Sequence, residues 1–125
     1  MRKFKDFFEI KDFNYALEFP SASLEHGGRV LSVRFDSKDK VVKAAYTGEI
    51  DPWLSSLCFL MEGKTLEELG QFQLKNWESA FRNDQTFWDF YQDEQDKFFH
   101  PSLEILKALL EVFRGRDFLY KVPVP

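Results

Sequence analysis

The chain has a single cysteine among its 125 residues. One thiol cannot close an internal disulfide, nor can it supply an all-cysteine metal centre within one chain. Histidine is nearly as scarce, with two copies. No apolar run approaches the roughly 18 residues a membrane-spanning helix needs, and the opening MRKFKDFFEIKDF is too charged for a secretory signal. The protein is therefore expected to stay in the cytoplasm. A basic stripe is missing as well. Scattered cations and a net charge of -4 give no electrostatic footprint for nucleic acid. There is no internal repeat and no low-complexity segment.

What remains is the composition of an ordinary folded domain, 44% hydrophobic and 30% charged. Residues 1–125 are expected to form one domain, with 1–13 as an N-terminal lead-in and 116–125 as a C-terminal tail. The unusual abundance is phenylalanine, 15 copies. Most of these rings are expected in the core. Any of Phe4, Phe7, Phe8 and Phe98 left exposed would favour a homodimer or a docking face.

The stretch from Thr47 to Leu69 carries the clearest local signals. Asp51 is a good helix N-cap, Pro52 suits the first helical position, and Gly63 can adopt the left-handed conformation that closes a helix. Leu54, Leu57, Cys58 and Met61 recur at the spacing of one buried helical face. Cys58 on that stripe reads as a small buried hydrophobe, without the exposure or positive neighbours that would activate a thiol. Thr65 and Glu68 form a capping box that starts a second helix.

Before this stretch, Tyr15, Leu17 and Phe19 alternate as a strand would, and Pro20 ends the run. Ser21 to Gly28 has the small residues of a loop, with Gly27-Gly28 permitting a tight turn. Leu31, Val33 and Phe35, a turn at Asp36-Ser37-Lys38-Asp39, and then Val42, Ala44 and Tyr46 predict a hairpin. After it, Leu74, Trp77 and Phe81 keep helical spacing, a short acidic-faced helix follows around Phe87 to Tyr91, and His100-Pro101-Ser102 opens a helix with Leu106, Leu109, Leu110 and Phe113 inside. Strands first and helices after predict an α+β fold, a small antiparallel three-stranded sheet with helices packed on one face.

A strand running into Thr47-Gly48, a helix with Ser55-Ser56 in its first half, and Gly63-Lys64-Thr65-Leu66-Glu67-Glu68 resemble the NifU N-terminal domain and IscU, scaffolds on which iron-sulfur clusters are assembled. The similarity runs from about Leu24 to Phe113. It implies a SufE/NifU-like fold with three loops meeting at one end of the sheet, where three cysteines, an aspartate and a histidine hold iron. Soft thiolates suit that role. Here Gly27-Gly28-Arg29 stands where the family has Cys-Gly-Asp, Thr47 stands on the second cysteine, and Pro101 in His100-Pro101-Ser102 stands on the third. With the first register moved by one, His26 takes the first position. The family's Leu-Pro-Pro-Val-Lys chaperone motif is absent, residues 94–98 reading EQDKF. The exposed loop cysteine of SufE-type sulfur acceptors is absent too.

The resemblance therefore implies a degenerate member of the family, expected to bind no cluster and to act as an interaction or regulatory module. Its partner would be a cysteine desulfurase or other iron-sulfur assembly machinery. The alternative is a divalent-metal protein, with zinc or iron held by His26, Glu49, Asp51 and His100. Asp51 is also explained fully by its capping role. No catalytic dyad, activated nucleophile or phosphate loop stands out, so no enzyme is expected.

Overall fold

The computed structural model describes residues 3–8, 12–94 and 104–111. The chain begins with a 3-10 turn over Phe4–Phe8. Three strands then follow in order: β1 (Ala22–His26), β2 (Arg29–Phe35) and β3 (Val41–Tyr46). They pair antiparallel as β1-β2-β3. Helices α1 (Pro52–Met61), α2 (Leu66–Gly70), α3 (Leu74–Ala80) and α4 (Gln85–Glu94) come next. A further helix, α5, spans 104–111. The fold is α+β, strands first and helices after. Among the described residues no helix is long and apolar enough to cross a membrane.

The first strand is not where residue alternation puts it. Tyr15 to Phe19 is irregular, with Phe19 at φ 52° and 86% exposed. An alternating run becomes a strand only if it finds a partner, and here the sheet partner of β2 is the small-residue segment Ala22–His26. Gly27 and Gly28, at φ 60° and 81°, make the two-residue turn whose positive angles match the twist of a hairpin. Phe13 and Asn14 instead border β3, the Tyr46 amide donating to the Phe13 carbonyl at 2.8 Å. The second hairpin lies as expected. Asp36 closes its turn by accepting from the amides of Lys38 and Lys40, and those donors, Lys40 first, hold its carboxyl below the usual range.

α1 packs on β3 and on the N-terminal 3-10 turn. The expected stripe of Leu54, Leu57, Cys58 and Met61 is buried, and so are Pro52, Trp53, Ser55 and Ser56. The helix is thus enclosed on nearly every side. Its buried hydroxyls are satisfied: Ser56 Oγ donates to the Trp53 carbonyl at 2.8 Å and accepts from Trp77 Nε1 at 2.8 Å. α2 starts at the Thr65–Glu68 capping box. It is tied to the hairpin turn by the Leu66 amide donating to the Asp39 carbonyl at 2.9 Å.

Among the described residues of the N-terminal segment, Phe4, Phe7 and Phe13 join the core cluster. Phe4 and Phe7 are fully buried, so neither is available as an exposed docking ring. The Phe4 ring meets Trp53, Phe81 and Phe87 edge-on at centroid separations of 5.5, 5.3 and 5.3 Å. This is the geometry aromatic quadrupoles favour. Phe8 is 40% exposed, and Phe98 lies outside the described residues. In α5, Ile105, Leu106, Leu109 and Leu110 join the same core cluster.

Candidate functional site

Two of the three loops of interest lie at one end of the sheet. Gly27-Gly28 turns β1 into β2, and the chain leaves β3 beside the start of β2. The Thr47 amide donates to the Val30 carbonyl at 3.0 Å, and the Val30 amide donates to Thr47 Oγ1 at 3.2 Å. Thr47 therefore extends the ladder by one residue, its hydroxyl engaged as an acceptor. Gly48 follows at φ 104°, where a Cβ would stand 3.1 Å from Arg29 Cγ. Glycine lets this loop pass close over the arginine stem. Asn14 pins the loop from outside, its Nδ2 donating to the carbonyls of Tyr46 and Gly48 at 3.3 and 3.1 Å. The third loop, with His100 and Pro101, lies outside the described residues.

An ion pair occupies this end. Arg29 Nη1 meets Asp51 Oδ2, the carboxylate side chain being 2% exposed and the guanidinium 30%. The other Asp51 oxygen, Oδ1, accepts from the amides of Trp53 and Leu54 at 2.8 and 3.3 Å. A buried carboxylate is tolerated here because a cation and the positive end of α1 both face it. Behind it the Tyr46 hydroxyl accepts from the Asp51 amide at 3.0 Å and lies 2.7 Å from Ser55 Oγ. Burial raises the pKa of this phenol, outweighing the lowering effect of the Asp51 backbone and Ser55 hydrogen bonds.

The four candidate metal ligands fare differently. Asp51 has both oxygens engaged, so a metal ion would have to displace Arg29. Glu49 is exposed. His26 ends β1 opposite Arg29, and its side chain lies outside the described set, as does His100. Among the described residues no group of three His, Cys, Asp or Glu could hold a metal ion. Cys58 is fully buried in α1, and desolvation pushes its thiol far above the ordinary value. It offers no thiolate to a metal or a sulfur donor.

Sequence reasoning placed Arg29 as a cation in an acid's position and Asp51 as a cap, without joining them. The available signal was their opposite charge on two loops expected to meet. Tyr46, anticipated only as an alternating residue of the hairpin's return strand, links the strand end to the helix cap. No protein-family model matches this chain, and a search of curated proteins finds no match.

Proposed function

We propose that this protein is a NifU- or IscU-like domain that carries no iron-sulfur cluster itself and acts on iron-sulfur assembly as an interaction or regulatory module. The observation that carries this reading is the Arg29–Asp51 pair, at the end of the sheet where the Gly27-Gly28 turn and the Thr47-Gly48 loop lie together. In the family it resembles, that end gathers anionic sulfur around iron. Here a fixed guanidinium neutralises the nearest carboxylate and disfavours a second cation, by the same Coulomb law that favours the pair. The pair takes over the metal's electrostatic part, holding a strand end to a helix start. Partners, not ligands, are then what the retained frame is for.

A cysteine desulfurase is the partner to test. Purified desulfurase and this protein, mixed and analysed by size-exclusion chromatography and calorimetry, are expected to form a complex. That complex should displace a cluster-bearing scaffold from the same desulfurase. A desulfurase that binds the cluster-bearing scaffold while ignoring this protein would refute the assignment of partner.

A further inference from the structure

A groove of about 500 Å³ opens where the N-terminal 3-10 turn meets the corner between α3 and α4, within the size range of small-ligand sites. It shares no residue with the Arg29–Asp51 end. Three cations line it, Lys3 just before the N-terminal turn, Lys5 within it, and Arg82 from the corner. None of the three forms an ion pair among the described residues. In a chain of net charge -4 this is a local concentration of positive charge rather than a general property of the surface. Ser79, Asn83 and Thr86 add neutral hydrogen-bonding groups to the lining.

The groove is held in shape from below. Lys3 and Lys5 flank Phe4, whose ring is fully buried and whose amide donates to Asp84 Oδ2 at 2.6 Å. The two lysines are thus anchored to the start of α4 through the residue between them. Asp84 also lines the groove, leaving the three cations in excess of one carboxylate, and its oxygens are committed to backbone amides. Its Oδ1 accepts from the amides of Thr86 and Phe87 at 3.1 and 3.3 Å, while Oδ2 takes the Phe4 amide.

We propose that this groove binds a small phosphate-bearing ligand. Cations reaching in from two chain segments suit a tetrahedral group with three acceptor oxygens better than a planar carboxylate with two. Arginine contributes a planar fork of donors, and lysine a compact charge that adapts its direction. The reading is independent of any role in iron-sulfur assembly.

The test is titration of the full chain with inorganic pyrophosphate at low salt, followed by amide chemical shifts. Shifts should concentrate at residues 79–86. Arg82→Gln, and the double change Lys3→Gln with Lys5→Gln, should each weaken binding about tenfold, as loss of a charge-assisted contact implies. Lys43→Gln on β3, away from the groove, should leave it unchanged. Citrate and an oligo-aspartate peptide complete the comparison, both expected to bind more weakly than pyrophosphate. Equal or tighter binding of citrate would overturn the phosphate assignment. Binding of the peptide alone would overturn it in favour of an acidic protein segment. Shifts scattered over the surface, or an equal effect of Lys43→Gln, would reduce the groove to nonspecific charge attraction and refute the proposal.

Discussion

Replacing Asp51 by alanine removes a helix cap and half of an ion pair in one step, and the two losses can be separated. The cap alone, with Oδ1 accepting from Trp53 and Leu54, is worth about 1 kcal/mol. Arg29 then loses its partner, but at 30% exposure it can turn to water, which limits that term to about 1–2 kcal/mol. Asp51→Ala should therefore destabilise by about 2–3 kcal/mol, a large part of the total for a domain of this size. Asp51→Asn keeps an acceptor for the cap and loses only the charge, so about 1–2 kcal/mol is expected. Arg29→Met leaves a carboxylate at 2% exposure without its cation, for a loss of about 1–3 kcal/mol. The double change Arg29→Met with Asp51→Asn should be milder than the sum of the singles by about 1 kcal/mol. Urea unfolding followed by circular dichroism reads each value from the midpoint at constant slope. An Asp51→Ala protein as stable as the parent, or singles that add without coupling, would refute the claim that this pair holds the two loops together.

Two other perturbations probe the frame. Phe4→Ala should cost about 3–5 kcal/mol in the same urea assay, because the ring is fully buried among Trp53, Phe81 and Phe87; an N-terminal appendage would lose almost nothing. Alkaline pH should weaken the fold through Tyr46 and Cys58. Both have folded pKa values raised by burial, so the unfolded chain releases these protons first, and stability falls as pH climbs through the ordinary thiol and phenol values of 9.0 and 10.0. Tyr46→Phe and Cys58→Ala should each flatten that decline, measured by urea midpoints across the alkaline range. A decline of unchanged slope in both variants would sink the assignment.

The elements legible in advance were those whose signals are local. Asp51 and Pro52 mark the start of α1 because capping and fixed φ act within a turn. Thr65 and Glu68 mark α2 in the same way. The hairpin of β2 and β3 was legible from alternation about a turn rich in Asp and Ser. β1 was not, because Ala22–His26 has modest strand propensity and is a strand by virtue of pairing with β2. The run at Tyr15 to Phe19 has the better pattern and no partner. The burial of Phe4 and Phe7 was hidden for a related reason. Spaced rings among charged residues look alike whether they cover the core or lie on the surface, and only α1 and α4 arriving from far along the chain decide between them. At the candidate site, the sequence showed Gly27, Thr47 and Pro101 at the positions compared with the resembled family's cysteines, but not the ion pair between Arg29 and Asp51. A salt bridge across 22 positions depends on two loops meeting, which no local rule encodes.

The most direct measurement is anaerobic reconstitution of the purified full chain with ferrous iron, sulfide and reductant, followed by desalting, visible absorption and iron analysis. With the Arg29 guanidinium paired to Asp51 at that end of the sheet and Cys58 buried in α1, the protein is expected to emerge colourless and free of iron and acid-labile sulfide. A stable visible band with iron and sulfide in stoichiometric amounts would contradict the account at its centre, whichever side chains proved to hold the metal.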